Sequence, residues 1–126
     1  MHLPDDCRYS EEHEWVRLDG DIAVVGITDF AQEQLGDIVF VELPSVGTNT
    51  AFMGIFGTVE AVKTVSDLYA PMSGTVVEVN TGLESRPEAV NQDPYGDGWM
   101  IKVRLTGPDE YEKLMTADAY RAHIGV

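Results

Sequence analysis

Apolar residues along this chain recur mostly at alternate positions, in short runs that Gly, Pro, Asn and Asp interrupt, which is the pattern of half-buried β-strands. Arg8 to Leu18 reads as an opening strand carrying Tyr9, Trp15 and Val16, closed by the turn Asp19-Gly20-Asp21, and Ile22 to Ile27 returns as a buried strand. Thr28 has the side chain of a helix N-cap. The spacing then predicts a short helix over Asp29–Leu35, with Phe30, Ala31 and Leu35 inward and Gly36 ending it in a left-handed conformation. Asp37 to Leu43 resumes a strand, alternating Ile38, Phe40 and Glu42 against Val39, Val41 and Leu43, and Pro44 stops it ahead of a loop to Asn49. Two β-prone runs follow, one holding Phe56, Thr58, Val59 and Val62, the other Val65, Leu68 and Tyr69, before Pro71-Met72-Ser73-Gly74 turns the chain into a strand over Thr75 to Val79. Asn80 to Gly98 is polar and turn-rich, with a helical turn expected at Leu83 to Val90. Trp99 to Leu105 is the last strand, with Trp99, Ile101, Val103 and Leu105 inward. Beyond Gly107-Pro108, Asp109 is expected to cap a C-terminal helix over about 109–123, with acidic Glu110 and Glu112 in its first turn. The expected class is mostly β: a sandwich of short strands with a short internal helix and a C-terminal helix, spanning 1–126 as one domain.

Lys63 lies between the two central β-prone runs, near the reversal of a hairpin covering about 54–80, with the stiff side chains Val62 and Thr64 on either side. The chain has three lysines. Lys102 falls on the outward positions of the last strand and Lys113 on the polar face of the C-terminal helix, so Lys63 alone is placed for presentation.

The segment Phe56-Gly57-Thr58-Val59-Glu60-Ala61-Val62-Lys63, with Ser66-Asp67-Leu68-Tyr69-Ala70-Pro71 and Gly74, resembles the lipoylation segment of the glycine cleavage system H protein family. The resemblance continues in Tyr9, Glu12-His13-Glu14-Trp15-Val16, Val25-Gly26-Ile27-Thr28-Asp29-Phe30-Ala31-Gln32, Leu35-Gly36-Asp37-Ile38-Val39-Phe40-Val41-Glu42-Leu43-Pro44, Val46-Gly47, Val90-Asn91, Asp93-Pro94-Tyr95-Gly96 and Gly98-Trp99. One departure is Thr50-Ala51-Phe52-Met53, more apolar than the family's usual charged stretch, and read as an adjusted local packing surface. The resemblance implies the barrel-sandwich hybrid fold of lipoyl and biotinyl carriers, with lipoic acid joined to Lys63 by an amide in the recognition context of Glu60, Val62, Thr64 and Asp67. It implies a carrier that catalyses no step itself. The lipoyl arm takes the aminomethyl group of glycine from the pyridoxal-phosphate glycine decarboxylase to the tetrahydrofolate-dependent aminomethyltransferase, and dihydrolipoyl dehydrogenase, with FAD, reoxidises it. Lipoylating enzymes are the remaining implied partners. Glu14 and Asp67 are expected to hold the loaded arm, whose terminal amine is cationic, when it folds back onto the protein. Three other readings stay open: an H-like relay that donates its lipoyl group, a biotinyl carrier, for which methionines rather than Val62 and Thr64 would flank the lysine, and an unmodified acidic binding module.

Composition narrows the partners. With 22 acidic against 8 basic residues the formal charge is −14, which argues against binding a phosphate backbone and so against nucleic acid. No apolar run approaches membrane-spanning length, and Met1-His2-Leu3-Pro4-Asp5-Asp6 resembles neither a signal nor a transit segment, so the expected setting is a bacterial cytoplasm, or the mitochondrial matrix for a processed chain. Enzyme signatures are missing: there is no Gly-rich phosphate loop, no Gly-x-Ser-x-Gly elbow and no histidine pair at metal spacing. His13, between Glu12 and Glu14, is read as a structural histidine ahead of a base or ligand, and Cys7 as an incidental thiol in a polar stretch.

Overall fold

A computed structural model describes all residues, Met1–Val126. In chain order the strands are β1 (Arg8–Tyr9), β2 (Glu14–Asp19), β3 (Ile22–Ile27), β4 (Ile38–Glu42), β5 (Asn49–Thr50), β6 (Ile55–Ala61), β7 (Val65–Tyr69), β8 (Gly74–Val79) and β9 (Ile101–Leu105). The helices are α1 (Asp29–Leu35), α2 (Ala89–Gln92) and α3 (Ala117–Ile124), with 3₁₀ turns at Thr81–Glu84 and Pro108–Lys113. One sheet runs β1-β2-β3-β9-β8-β5, the other β4-β6-β7, and every pairing is antiparallel.

The two sheets bury facing surfaces as a sandwich. Val16, Val25, Val76, Ile101 and Val103 come from the larger sheet and Val41, Val59 and Leu68 from the smaller, within one core of 20 buried residues. A second, smaller cluster of Leu3, Cys7, Tyr9, Trp15, Tyr95, Ala117 and Tyr120 covers the β1–β2 end, where the rings of Tyr9 and Tyr120 stack at 4.9 Å. Cys7 is therefore buried in packing, not placed in a polar stretch, and burial first, then the charge of Asp6, pushes its thiol up to about 12.

Local chemistry sets most element ends as the sequence implies. The Thr28 hydroxyl accepts the Ala31 N–H at 3.1 Å and starts α1. Gly36 ends α1 by donating its N–H to the Gln32 carbonyl, yet its φ of 79° and ψ of −154° lie outside the left-handed helical region, in a conformation open essentially to glycine alone.

Four further expectations are corrected. The opening strand is two strands, because the Ser10–His13 turn, with the His13 N–H bonded to the Ser10 carbonyl at 3.2 Å and His13 at φ 74°, folds β1 back on β2. Strict alternation in β4 fails because the register shifts between Ile38 and Phe40, a bulge that buries Ile38 and Val41 while leaving Val39 and Phe40 about half exposed. The C-terminal helix over about 109–123 is broken. Met115 instead exchanges backbone bonds with Tyr9, at 2.9 and 2.8 Å, and that extended pairing cannot coexist with a continuous helix. Thr116 then caps α3 through the Ala119 N–H. Asp109 caps nothing, Gly107 occupies the cap of the preceding 3₁₀ turn, and Glu110 accepts from the Ser73 N–H and hydroxyl at 2.6 and 2.7 Å. The final strand also begins later than expected, at Ile101, leaving Trp99 half-buried outside it.

Close approach of β4 to β6 depends on Gly57, where a Cβ would stand 2.2 Å from the Glu42 carbonyl oxygen. Gly57→Ala must push the two strands apart, and urea denaturation should show it destabilised by about 1–3 kcal/mol.

Candidate functional site

The β6–β7 hairpin carries Lys63 at its tip. Thr64 accepts the Ala61 N–H at 2.7 Å across the turn, and the Asp37 carbonyl, from the segment between α1 and β4, accepts the Val62 N–H at 3.0 Å. The turn is thus tied to its own hairpin and to the neighbouring strand. Val62, Lys63, Thr64 and Val65 are all exposed. Lys102 pairs with Glu78 at 3.3 Å and lies over the Trp99 ring, and Lys113 lies over the Phe52 ring; Lys63 has neither an ion pair nor an aromatic partner. Its side chain runs along Gly36, where a Cβ would come within 3.6 Å of Lys63 Cε.

On the outer face of the small sheet, Phe40, Glu60 and Val65 stand opposite one another across three strands, and Glu42, Thr58 and Asp67 form the next row. Phe40 and Val65 are 49% and 61% exposed, so the lysine rises beside an uncovered apolar strip bordered by carboxylates. Glu60, Val62, Thr64 and Asp67 all belong to this exposed region.

A cavity of about 270 Å³ opens next to the hairpin. Ile27, Val59 and Leu68 form its apolar floor, Phe30, Ala31, Gln34 and Leu35 of α1 one wall, and Glu12, His13, Glu14, Ser66 and Asp67 its polar lining. Leu35, in the wall of this cavity, directly precedes Gly36, along which the Lys63 side chain lies. Glu14 and Asp67, 53 positions apart in the sequence, meet here, but in different settings: Asp67 is exposed, whereas Glu14 is 1% exposed.

Burying Glu14 requires partners. Its Oε1 accepts the Ser10 hydroxyl at 2.6 Å and its Oε2 the Tyr69 N–H at 3.2 Å, so it links the start of β2 to the end of β7. Burial nevertheless dominates these bonds and pushes the carboxyl up to about 8, with the charge of nearby Glu12 adding to the rise. His13, at the same rim, shares a 2.8 Å hydrogen bond between Nδ1 and the Tyr120 hydroxyl, which also contacts Thr28 Oγ1 at 2.8 Å. Burial, then the charge of His123, lowers its pKa. Thus the histidine is held in a hydrogen-bonded structural place, and no three His, Cys, Asp or Glu side chains converge as a metal site. Sequence reading misses Ser10, Tyr120 and the α1 wall. The only local signal is a hydroxyl four residues ahead of Glu14, since both faces of β2 are covered at this end and alternation cannot show it.

A carboxyl whose pKa rises on folding binds more protons in the native state, so stability falls as pH climbs through the window from about 4.5 to about 8. Lowering of the His13 pKa acts with the opposite sign, removing stability as pH drops below about 6.5. Urea melts of Glu14→Gln across pH 6.5 to 9 (about one unit beyond the upper value) should therefore lose the parent's decline in stability with rising pH. A decline of equal slope in the variant would assign it to another group.

Comparison with known proteins matches residues 7–125 to the family described as Glycine cleavage H-protein. A glycine cleavage system H protein of Salinibacter ruber is 62% identical over 95% of this chain and 97% of its own length, and one from Symbiobacterium thermophilum is 60% identical over 96% and 94%. Among solved structures, that of a glycine cleavage system H protein from Mycobacterium marinum superposes with a TM-score of 0.91 at 42% identity, covering 98% of this chain and all of the other. No helix here is long and apolar enough to cross a membrane. With its two-sheet sandwich, hairpin lysine and near full-length matches, the chain belongs to the glycine cleavage H-protein family.

Proposed function

We propose that this chain carries lipoic acid on Lys63 and moves the aminomethyl group of glycine from the pyridoxal-phosphate decarboxylase to the tetrahydrofolate-dependent aminomethyltransferase, with dihydrolipoyl dehydrogenase restoring its oxidised form. The observation that carries this reading is an unpaired lysine on a braced hairpin tip, next to a cavity lined by the three carboxylates of Glu12, Glu14 and Asp67. The site suits the group: the amine is exposed, unpaired and free to be acylated, and the adjoining cavity has an apolar floor and an acidic lining. Lipoate bound as an amide supplies a disulfide strained by its five-membered ring, which opens readily to a carbon or sulfur nucleophile.

The protein contributes position and environment. Val62 and Thr64, stiff at χ1, and the bonds to Thr64 and Asp37 limit the motion of the attachment point, so the partners meet a defined surface. Phe40 and Val65, bordered by Glu42, Glu60 and Asp67, form the docking face for the decarboxylase, the transferase, the dehydrogenase and the lipoylating enzymes. Interfaces that form and release each cycle bury under about 1,200 Å². Between visits, Glu14 and Asp67 hold the cationic amine inside the cavity, away from bulk water. A cation beside Glu14 favours the ionised carboxylate, so Glu14 gives its proton to solvent as the amine arrives.

Intact mass after expression in a lipoylating host tests the attachment. The parent should gain one lipoyl group and Lys63→Arg none, with an unchanged melting temperature; an adduct that survives in Lys63→Arg, or glycine cleavage without one, overturns the assignment. Retention is tested separately. Lipoylated Glu14→Gln/Asp67→Asn, loaded from glycine, should release the aminomethyl group faster than the parent when no transferase is present, whereas equal release rates would remove both carboxylates from the retention role.

A further inference from the structure

Asn91 lies in α2, outside the hairpin and outside the cavity, yet its side chain makes three hydrogen bonds toward both. Its Oδ1 accepts the Ile38 N–H at 2.9 Å, and its Nδ2 donates to the Gly36 carbonyl at 2.8 Å and to Gln32 Oε1 at 3.0 Å. Gln32 is fixed in turn by its own bond from Nε2 to Asp29 Oδ1 at 2.8 Å. Gly36 and Ile38 flank Asp37, the residue whose carbonyl holds the Val62 N–H beside Lys63. Gln32 belongs to α1, whose Phe30, Ala31, Gln34 and Leu35 wall the cavity. One half-buried amide therefore fixes the backbone on both sides of the carbonyl that braces the lysine turn, and anchors the helix that walls the arm's cavity. The anchor itself is firm, because Ala89 and Val90 bury α2 in the core.

We propose that Asn91 is a positioning residue for the modified lysine, setting the lysine turn and the α1 wall in one relative geometry so that acylation and return of the arm to its cavity both find Lys63 in place. Replacing it by alanine leaves the Gly36 carbonyl and the Ile38 N–H without their partner, and the Asp37 carbonyl then loses the two restraints beside it. No contact with Lys63 or with the cavity is removed directly.

This inference rests on Lys63 being the attachment site, and the test keeps the two apart. Asn91→Ala is compared with Asn80→Ala, a matched control whose Nδ2 donates to the Asp97 and Trp99 carbonyls at 2.9 and 2.7 Å on a segment with no bond to the lysine turn. Both variants should melt below the parent. Only Asn91→Ala should speed exchange of the Val62 amide hydrogen and raise KM for enzymatic lipoylation about tenfold, with kcat changed less, since the loss is one of presentation. Asn91→Asp keeps the acceptor for Ile38 but sets a carboxylate oxygen against the Gly36 carbonyl, so it should move both readouts in the same direction as the alanine variant, and it serves if that variant does not fold. Val62 exchange and a lipoylation KM no different from those of Asn80→Ala overturn the proposal, as does faster exchange with an unchanged KM. A parent that gains no lipoyl group on Lys63 instead removes the carrier reading, and the positioning role with it.

Discussion

Three strands have a single face to bury, and burying it fixes the hairpin. Val41, Val59 and Leu68 meet Val16, Val25, Val76, Ile101 and Val103 across the sandwich, and each fully buried aliphatic side chain contributes about 1.5–3 kcal/mol. The four ion pairs of the chain involve largely exposed side chains at 3.2 to 4.0 Å, where a pair contributes about 0–1 kcal/mol at most. Packing, not charge, therefore holds β6 and β7 in register. Because Val59 and Leu68 cannot slip without exposing themselves, the residues beyond Ala61 and before Val65 have nowhere to go but outward. The exposure of Lys63 follows from burial elsewhere on the same strands.

At the seam between the sheets the chain accepts an unfavourable group. Glu14 sits where an apolar residue would pack without a desolvation cost, and its bonds from Ser10 and Tyr69 recover only part of that cost. A carboxyl placed at the start of β2 and bonded to the end of β7 sets a buried group that can change charge beside the apolar floor of the cavity. Its neighbours His13, Tyr120 and Thr28 continue the polar contacts toward α3, so the C-terminal helix helps define the rim although it lies far from the hairpin in sequence.

What the sequence shows and what it hides divide along physical lines. Thr28 and the two β-prone runs that become β6 and β7 are local signals, and they place α1 and the lysine turn within a residue or two of where the chain puts them. The bulge at Val39 is not legible, because an extra residue in a strand leaves composition and periodicity almost unchanged while reversing which side chains are buried. The break before α3 is hidden for another reason: Met115 is a good helix former, and only its pairing with Tyr9, more than a hundred positions away, draws it into extended backbone. Within the site, Lys63, Glu60, Val62, Thr64 and Asp67 are legible since they adjoin one another in the chain. Tyr120 and Asn91 act through long-range hydrogen bonds that no local periodicity marks, and Ser10 shows only as a hydroxyl four residues ahead of Glu14.

Burial of Cys7 bears on redox chemistry. Thiol–disulfide exchange requires a thiolate, and a thiol pushed up to about 12 supplies almost none near neutral pH. Its sulfur is also closed to an incoming disulfide, at 2% exposure. A protein proposed to carry a group that alternates between disulfide and dithiol thus brings no sulfur of its own to compete for it, so mixed disulfides between the arm and its scaffold are avoided and every electron the arm accepts stays available to its reoxidising partner.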